Sequence, residues 1–590
     1  MSQEDNRSLE IKKKRRLLTR REFLGSSVVL GGGALLAACT PGTPVPDPTA
    51  PPATPAETVA TATPQPTPVP TPVPEIPMGE LVPELEYMNL PFESYQEFVR
   101  QFVPQAEQLG LKINVQVVEA TTWIERASSQ HDYGDFTITA FSLTGERMDP
   151  NWVLSELLHS QGAVPGGRNM AEYKNPAMDA IIEAQSTTLD DDERLELIYQ
   201  AQEIFARDNP WISVYFLNEL AAYNKERFEG FVLMPGAGVT RWNNMVSWTN
   251  ISPKTGDTLF RVDNDHDGNS TNPFVATGGM FNRETIRWVY DRLVIMDEEL
   301  RIAPWAAESW EWVDPQTLEL SLRSGMTFHD GEPVTAEDLV FTINYAQEHQ
   351  FAEWSGPLRQ IDSVELVDAM TMRFNLNQVY APFISTALPF MFIVPKHVWE
   401  NVDEPEVYEN PQPIGSGPFV FDHWRKNESW RFNRNESHFR APNVDVLVQI
   451  IPERETLLGM LETGEIDALA GGHMRGDDQI RRLQAIEEIE TVPWTAGSTT
   501  TFFIHSGSEH GSDPAFRAAI HHVVPKTQLV RVLGGEVLGG TVGGSTWIDP
   551  ESPWHNPDLP QYAEDVDKAR QVLAEAGYSW DEEGRLHYPA

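Results

Sequence analysis

Leu322-Arg323-Ser324-Gly325-Met326-Thr327-Phe328-His329-Asp330-Gly331 is the most distinctive stretch of this 590-residue chain, and Pro333-Val334-Thr335-Ala336-Glu337-Asp338-Leu339-Val340-Phe341 follows it closely. Two shorter motifs, Ile414-Gly415-Ser416-Gly417-Pro418-Phe419 and Gly464-Glu465-Ile466-Asp467, come later. All of these motifs lie beyond residue 300, so a long segment precedes them. That upstream segment carries motifs of its own, and the order of the two groups bears directly on the fold.

The downstream motifs resemble the N-terminal two-thirds of the family 5 extracellular solute-binding proteins, in which they lie near the start of the mature chain. The upstream motifs resemble the C-terminal third of that family; they are Trp123-Ile124-Glu125-Arg126, Tyr133-Gly134-Asp135-Phe136, Asp149-Pro150-Asn151, Tyr173-Lys174-Asn175-Pro176-Ala177-Met178-Asp179 and Asp208-Asn209-Pro210-Trp211-Ile212. The two parts share no repeat and together make about one family-sized protein. Their order predicts a circular permutation, with the old termini joined near residues 251–256.

Short β-rich runs alternate with amphipathic helices along the chain. Residues 115–118 and 136–139 read as strands, while residues 191–207 carry apolar side chains at helical spacing. Residues 566–576 also predict a helix, which Gly577 ends. Mixed elements of this kind predict α/β lobes. The roughly 510 residues that follow the N-terminal region are too many for one core and enough for two or three lobes.

The resemblance implies an α/β, type II periplasmic binding protein fold, with two lobes, a central ligand cleft and an extra subdomain. The predicted regions are a leader at 1–38, a tether at 39–78, one part of a split lobe at 80–219, a continuous lobe at 220–493 and the rest of the split lobe at 494–590. The chain should cross the hinge near residues 218–221 and 492–495. The permutation also predicts that Glu80 and Ala590 lie close together, with residues 586–588 running towards residues 84–88.

The first 38 residues read as a targeting segment. Thr19-Arg20-Arg21-Glu22-Phe23-Leu24 resembles a twin-arginine export signal, in which Arg20 and Arg21 are the paired basic residues. A short apolar run then ends in Leu36-Ala37-Ala38-Cys39, which resembles a lipoprotein cleavage box. Cys39 is the sole cysteine, so an intramolecular disulfide is excluded. The sequence therefore predicts a lipid anchor on Cys39, as opposed to a buried small apolar residue.

The segment that follows is rich in Pro, Thr and Ala and has almost no large apolar side chain. Such a composition cannot bury a core, and it predicts an extended, partly polyproline-II tether over residues 39–78. At roughly 3 Å per residue, the tether could reach on the order of 100 Å. That reach suits an extracytoplasmic protein, on the cell surface or in the periplasm, whose anchor leaves it free to meet a transporter.

The formal net charge of the chain is −43. The leader holds eight basic and four acidic residues, so the remainder carries −47. So strong a negative charge excludes binding to a nucleic acid backbone as the main activity. It favours solubility, and two interpretations stay open: general surface acidity, or attraction of cationic solutes.

The predicted ligand site begins on a strand that leads to a carboxylate-Pro element, Asp149-Pro150. In the peptide-binding members of the family, an extended peptide lies along the matching strand and an acidic residue pairs with its amino terminus. The resemblance places Ser142 and Thr144 on that strand and Glu146 at the acidic position, with Arg147 next to it. A ligand ammonium can partner a buried carboxylate. The alternative is a loop acid that pairs with Arg147 or solvent, and the longer Glu departs from the family's usual Asp.

Other predicted ligand contacts come from two further segments. Phe281 ends Thr277-Gly278-Gly279-Met280-Phe281, which resembles a cleft-lining segment of the other lobe. The hinge-proximal run at residues 494–500 contributes Trp494, Ser498 and Thr499. The Trp494 ring could pack on a peptide side chain or a sugar ring. The alternative is a core tryptophan, since the chain has 17 of them.

Three motifs that could indicate other chemistry do not develop into a site. Asp263-Asn264-Asp265-His266-Asp267-Gly268 resembles the start of an EF-hand loop, but position 12 is Phe274 where a bidentate Glu is needed. His521 and His522 are adjacent, so on a helix they point about 100° apart and make a poor metal pair. The 414–419 motif lacks the spacing of a nucleophile elbow. No metal or cofactor is predicted.

These observations predict the substrate-binding component of an ABC importer, most simply for peptides, working with a permease and an ATPase. An oligosaccharide or another solute of the same family is an alternative ligand; nickel is disfavoured because no histidine cluster maps to the cleft strand. A receptor subunit that senses a ligand without transport is a second alternative. A cleft hydrolase is a third, but it needs two convergent acids or a metal triad that the sequence does not offer.

Overall fold

The computed structural model describes residues 78–590, apart from residues 131–135, 144–146, 165–166, 242–243, 265–266, 269, 276–285, 287, 352–353, 454–455 and 471–475, together with a two-residue strand at Phe23–Leu24. The predicted tether and the side chains of Arg20, Arg21 and Cys39 lie outside the described part of the chain. Within that part, no helix combines the length and apolar character needed to cross a membrane.

The N-terminal half of the described chain begins with alternating strands and helices. Its strands are β1 (Leu85–Asn89), β2 (Ile113–Val117), β3 (Ile138–Leu143), β4 (Arg147–Met148), β5 (Trp211–Asn224), β6 (Phe228–Glu229), β7 (Ser252–Pro253), β8 (Leu259–Asp263), β9 (Val294–Met296), β10 (Ile302–Pro304), β11 (Ala307–Asp314) and β12 (Thr317–Leu322). Its helices are α1 (Glu93–Gln108), α2 (Ala120–Ile124), α3 (Pro176–Thr187), α4 (Asp191–Asp208) and α5 (Met245–Asn250), with π-helices at Glu125–Gln130 and Val153–Leu158 and a 3-10 turn at Ser160–Gly162.

The C-terminal half continues with the same mixture. Its strands are β13 (Ile361–Leu366), β14 (Thr371–Leu376), β15 (Phe419–Arg425), β16 (Ser429–Arg434), β17 (Val446–Ile450), β18 (Ala468–Leu469), β19 (Ile489–Ile504), β20 (Gly540–Val542), β21 (Ser579–Trp580) and β22 (Leu586–His587). Its helices are α6 (Ala336–His349), α7 (Ser355–Leu358), α8 (Phe383–Thr386), α9 (Lys396–Trp399), α10 (Leu457–Thr463), α11 (Asp477–Gln484), α12 (Pro514–Val523), α13 (Lys526–Gly534) and α14 (Val566–Glu575), with a 3-10 turn at Leu388–Phe390. The predicted α/β class is confirmed.

Eleven strands of the described chain form one sheet, in the order β15-β16-β17-β8-β18-β5-β19-β3-β1-β2, with β20 also paired to β5. The two longest strands, β5 and β19, run antiparallel at the centre. On one side of them, β3, β1 and β2 are parallel to one another; on the other side β17, β8 and β18 are parallel. The sheet therefore has a wing on each side of the central pair. Each wing contains three parallel strands, and β15 and β16 extend one wing as antiparallel strands.

Two large apolar cores pack on these wings. The first draws on residues 82–237 and 502–586, together with Met296 and Leu300, and its aromatic centre joins Tyr87, Phe98, Phe102 and Phe502. Phe502 stacks on Phe98 with ring centroids 5.1 Å apart, and Tyr87 meets Phe502 edge to face at 5.8 Å. Close aromatic pairs of this kind stabilise a core beyond their buried area. The first core thus unites two segments that are far apart in sequence.

The second core lies within residues 228–468. Its centre is the indole of Trp288, which meets Trp248 at 4.9 Å and Phe432 at 5.5 Å, both edge to face. A separate four-stranded sheet, β11-β12-β14-β13, packs on this core. Leucines alternate with polar residues along β12, so one face of that sheet is buried and the other faces water.

The two ends of the described chain pair with each other. The Tyr588 amide donates to the Glu80 carbonyl over 2.9 Å, and the Val82 amide donates to the Leu586 carbonyl over 2.9 Å. Leu81 and His587 form an antiparallel bridge between these two bonds. The predicted proximity of the two ends is confirmed, with the pairing at residues 80–82 rather than at residues 84–88. The division into lobes at 219/220 and 493/494 stays a prediction.

Candidate functional site

The two cores are connected by β5 and β19, near the residues where the sequence predicts that the chain crosses a hinge; the hinge itself stays a prediction. Trp211 to Tyr215 on β5 and Phe502 to Ile504 on β19 lie in the first core. Leu220 and Ile489 belong to a smaller cluster with the 457–483 region. Between them the strands pair in register, Ala221 with Val492, Leu220 with Pro493 and Glu219 with Trp494. The chain therefore passes from one core to the other as a pair of neighbouring strands.

Trp494 is covered by the loop at residues 234–238. Its side chain is 5% exposed. Gly238 has a φ of +57°, and a Cβ at that position would lie 2.9 Å from the indole Nε1 and Cε2 atoms. The Gly236 amide donates to the Thr495 carbonyl over 2.9 Å. The loop can approach the Trp494 ring this closely because residue 238 is a glycine and has no Cβ. The loop backbone therefore covers the ring.

Arg241 closes the other side of that ring. Its guanidinium carbon lies 5.4 Å from the Trp494 ring centroid, and its Nη2 lies 2.9 Å from Glu219 Oε2. Because Glu219 and Trp494 are opposite each other on β5 and β19, Arg241 contacts both crossing strands. In this arrangement Trp494 packs against protein groups, and its contact with a ligand stays a prediction.

A bulge follows the crossing on β19. Thr495 pairs with Asn218 and Thr499 pairs with Phe216, so residues 496–498 oppose a single residue of β5. The Thr495 hydroxyl donates to Asp549 Oδ2 over 2.6 Å, and burial raises the pKa of that carboxyl. Ser498 is half-buried on the bulge and Thr499 is buried, with its hydroxyl on the Thr500 carbonyl. The structure thus adds Asp549, which the sequence did not indicate.

Ser142 lies in a row of hydroxyl groups beside the bulge. The Tyr95 hydroxyl donates to Ser142 Oγ over 3.0 Å, and Ser142 Oγ lies 2.9 Å from Thr500 Oγ1. Tyr95 occupies the first turn of α1 and is buried, and this burial raises its pKa. The row ties α1, β3 and β19 together at one point. Of its members, Tyr95 carries no local sequence signal, whereas Thr500 lies in the run at residues 494–500 that the sequence indicated.

The strand that holds Ser142 has an open edge. On one side, β3 pairs with β19 along the whole length of β3, from Ile138 to Leu143. On the other side β1 pairs with β3 only at Ile138 and Thr139. Among the described strands, residues 140–143 therefore have a neighbour on one edge only. Unpaired backbone groups of this kind can accept an extended chain as an added strand.

Phe141 forms an aromatic wall at this edge. Its half-buried ring stacks on Trp123 with centroids 5.0 Å apart. The Trp123 indole donates to Thr139 Oγ1 over 2.7 Å, which fixes the ring position. Of the remaining predicted site residues, Thr144, Glu146 and Phe281 lie outside the described residues, and Arg147 is described only as part of β4. Their roles stay predictions.

The two acids of the family motifs are held by arginines. Asp149 makes a bidentate pair with Arg194, at 2.6 and 2.7 Å. Asp467 contacts Arg227 and lies 3.4 Å from Arg261 Nη1, and its burial raises its pKa to about 6 against the influence of these two cations. Each carboxylate thus has a structural partner, and the described residues pair neither with a second acid.

The loop that resembles an EF-hand is occupied by other contacts. Asp267 Oδ1 accepts from the indoles of Trp424 and Trp430, at 2.8 and 2.9 Å, and Asp267 Oδ2 accepts from the Asn427 amide at 2.6 Å. Asp263 Oδ1 accepts from the Ala470 amide at 2.6 Å. Across the described residues, no group of three or more His, Cys, Asp or Glu is arranged to hold a metal ion.

The histidine pair lies on α12, which packs in the first core. His521 Nδ1 lies 2.8 Å from Asn209 Oδ1, its ring stacks on Tyr562, and burial lowers its pKa well below the ordinary value. His522 Nδ1 lies 2.6 Å from the Ala563 carbonyl oxygen. The two rings have separate structural partners.

Gly415 and Gly417 form a close backbone crossing in the second core. The Gly417 amide donates to the Val289 carbonyl over 2.9 Å, and the Phe419 amide donates to the Trp288 carbonyl over 3.0 Å. A Cβ at Gly417 would lie 2.5 Å from the Trp288 carbonyl oxygen, and one at Gly415 would overlap that of Val289. The two glycines of this motif thus allow its backbone to pack directly against that of residues 288–289.

Comparison with known proteins gives one family. Residues 301–588 match the family described as bacterial extracellular solute-binding proteins, family 5 Middle. The Oligopeptide-binding protein AppA of Bacillus subtilis is 28% identical over 303 residues, which cover 49% of this chain and 54% of that protein. The Nickel-binding periplasmic protein of Escherichia coli is 25% identical over 319 residues, covering 52% and 59%. The chain thus spans just over half the length of these curated relatives.

Solved structures also align with part of the chain. NikZ from Campylobacter jejuni, in complex with Ni(L-His), aligns at 21% identity and a TM-score of 0.43, covering 57% of this chain and 66% of that one. AppA from Bacillus subtilis, in complex with a nonapeptide, aligns at 22% identity and a TM-score of 0.39, covering 56% and 67%. With the family match, the predicted relationship and its type II periplasmic binding protein fold are confirmed. Residues 301–588 of this chain are thus similar to the bacterial extracellular solute-binding proteins of family 5.

Proposed function

We propose that this protein is the substrate-binding component of an ABC importer, which captures a peptide between its two lobes and delivers it to a permease. The observation that carries the proposal is the open edge of β3, a few residues along β19 from the crossing between the cores. An extended peptide can add to such an edge as a strand, while the second core closes over it. The family is one of solute-binding proteins rather than enzymes.

Peptides are favoured over other solutes by this geometry. An open strand edge offers backbone donors and acceptors in the spacing that another peptide backbone matches. Among the relatives, one is named an oligopeptide-binding protein and another a dipeptide-binding protein, whereas a third is named for nickel. Binding assays with a panel of short peptides, oligosaccharides and nickel chelates test the proposal. Binding of sugars alone would leave the solute-binding role and reject the peptide ligand.

We expect the substitution Glu146→Gln to weaken the binding of peptides with a free amino terminus by about ten- to a hundredfold. The reason is that a charge-assisted hydrogen bond to the ligand ammonium contributes roughly 1.5–3 kcal/mol. Isothermal titration calorimetry measures the change. N-acetylated peptides lack the ammonium, so they should bind poorly to the unmodified protein and lose less on mutation.

The matched control for this prediction is Glu107→Gln, an exposed position on α1 that should leave affinity unchanged. Equal binding of acetylated and free peptides by the unmodified protein would contradict the role of Glu146. The strand-addition proposal would survive that outcome, because it depends on backbone groups at residues 140–143.

The cellular setting is also part of the proposal. Export through the pair Arg20 and Arg21, a lipid anchor on Cys39 and the tether at residues 39–78 would hold the protein outside the cytoplasm, within reach of a permease and its ATPase. A ligand-sensing receptor subunit is the second candidate, and a neighbouring permease and ATPase gene pair would separate transport from sensing. A cleft hydrolase is disfavoured because Asp149 and Asp467 are both held by arginines.

We further propose that the chain is circularly permuted. Two observations support it. The paired ends, residues 79–82 and 586–588, lie on the first core, and residues 254–256, in the region 251–256 where the old termini would be joined, are exposed. Gly256 has no other atom within 4 Å of a Cβ built on it. Chain breaks are tolerated at such exposed bends.

A reordered gene tests the permutation. A chain that begins at Gly256, runs to Ala590, continues through a short linker to Gly79 and ends at Thr255 should fold, with a melting temperature within a few degrees of the original. The reason is that the linker spans ends that are already hydrogen-bonded, and the new break falls in an exposed bend. A matched chain broken between Val492 and Pro493, inside β19, should fail to fold. Failure of both chains would contradict the proposal.

A further inference from the structure

The parts of the chain that build the first and the second core are here called the first and the second body. They touch at a second place, apart from β5 and β19. Residues 149–156 and 185–186 belong to the segment that builds the first core, and residues 359 and 380–386 belong to the segment that builds the second. Side chains and backbone of these two groups meet directly. We use the name clasp for this contact.

Asp149 is the centre of the clasp. Its carboxylate is 1% exposed and accepts four hydrogen bonds. Two come from Arg194, one comes from the Asn151 amide at 2.8 Å, and the fourth comes from the Ser385 hydroxyl, at 2.7 Å from Oδ2. Ser385 lies on α8, beside the second core. One buried carboxylate is therefore shared between the two bodies.

Two further hydrogen bonds flank this carboxylate. Asn151 Nδ2 donates to the Tyr380 hydroxyl over 2.9 Å, and Gln185 Nε2 holds the Asn151 amide in place by donating to its Oδ1. The Ala381 amide donates to the Ser186 carbonyl over 2.8 Å, so backbone also joins backbone across the contact.

An apolar contact and an exposed ion pair complete the clasp region. Met296 and Leu300, from the hairpin of β9 and β10, pack within the first core although their strands lead into the second. Arg359 Nη1 lies 3.6 Å from Glu156 Oε1, with both side chains partly exposed. The two bodies are thus joined by the pair β5 and β19 and also by the clasp.

We infer that the clasp is a reversible closure device, which holds the two bodies together around the site and releases when they open. Its partners stay satisfied when it parts. Asp149 keeps Arg194 and the Asn151 amide, and the Ser385 hydroxyl keeps the Pro382 carbonyl at 3.1 Å. Breaking a buried ion pair is costly because it leaves a buried charge without a partner. Opening the clasp avoids that cost, since Asp149 and Arg194 stay paired. The inference rests on the proposed function in one respect, namely that a ligand lies inside the closed arrangement.

Hydrogen exchange of the full chain, without ligand, tests the clasp. The double variant Ser385→Ala/Tyr380→Phe removes the two hydroxyls that contact Asp149 and Asn151. It leaves the Asp149–Arg194 pair and the exposed Arg359–Glu156 pair intact. We expect amide exchange in residues 381–390 to accelerate about tenfold, because exchange reports the population of the open state. Exchange along β5 and β19 should not change. The matched control is Tyr345→Phe, whose hydroxyl donates to the Val402 carbonyl within the second body.

A cysteine pair separates opening from local loosening. In a Cys39→Ala background, Ser186→Cys and Ala381→Cys place thiols on two residues whose backbones are hydrogen-bonded across the clasp. Once this pair is oxidised, the bodies cannot part, and Ser385→Ala/Tyr380→Phe should no longer accelerate exchange in residues 382–390. Acceleration that persists in the oxidised protein, or exchange that never responds to the double variant, would overturn the inference. Both outcomes are independent of which ligand binds, so they leave the proposed function untouched.

Discussion

Replacing Asp149 with asparagine is expected to lower the free energy of unfolding by about 3–5 kcal/mol. Arg194 is 4% exposed and stacks on Trp554 at 5.1 Å, so its charge cannot reach water when the carboxylate is gone. The neutral amide cannot offset that charge, and the cost is that of one buried ion without its partner. Urea unfolding of the full chain, followed by tryptophan fluorescence, measures the change.

Two further variants make this prediction specific. Arg100 forms an ion pair with Glu93 and Glu97 in which its side chain is 53% exposed, so Arg100→Ala should leave the free energy of unfolding nearly unchanged. Adding Arg194→Met to Asp149→Asn removes the stranded charge, and the double variant should recover part of the loss. A cost near that of the exposed pair for Asp149→Asn alone would show that the buried pair contributes little.

Replacing Gly415 with alanine is expected to destabilise the second core by about 3 kcal/mol, at the upper end of the range for overpacking. The added Cβ would overlap the Val289 carbonyl oxygen and lie 2.9 Å from Tyr290 Cδ1. A backbone carbonyl cannot move aside as a flexible side chain can. The backbone segments at residues 415 and 289 would therefore have to separate. The shift in the urea midpoint measures the effect.

Gly459→Ala is the matched control for this substitution. Gly459 lies inside α10, and a Cβ there has nothing within 4 Å. Alanine in a helix interior is more favourable than glycine by roughly 0.5–1 kcal/mol, so this variant should be slightly more stable. If Gly415→Ala were also neutral or stabilising, the close approach of residues 415 and 289 would not be a constraint on the fold.

The sequence predicted those elements whose ends are set by their own side chains. The helix predicted over residues 191–207 is observed at Asp191–Asp208, since the Asp190 side chain caps its first amides and Asn209, with a φ of 47°, ends it. The strand predicted over residues 136–139 instead spans Ile138–Leu143. Its extent depends on pairing with β19, which is remote in sequence, so no local pattern sets it.

The candidate site divides in the same way. Ser142 was predicted from the motif that leads to Asp149-Pro150, and it does lie on the open edge of β3. Tyr95 was missed because its hydroxyl meets Ser142 only after α1 packs on the sheet. For Trp494 the sequence left open a ligand contact or a core position, and it gave no sign of the distant loop at residues 234–238 that covers the ring. Both contacts join segments that are far apart in sequence, and a local sequence pattern does not predict such contacts.

The pairing of β5 with β19 at the crossing between the cores has a mechanical consequence. At residues 219–221 the described strands are joined only to each other, so the crossing is a two-stranded ribbon. A ribbon bends readily out of its own plane, because that motion leaves the cross-strand hydrogen bonds at their lengths. Bending within the plane, or sliding one strand along the other, would stretch or break them. The two bodies should therefore rock with essentially one degree of freedom, and a solute would enter and leave across the face of the ribbon rather than past its edges.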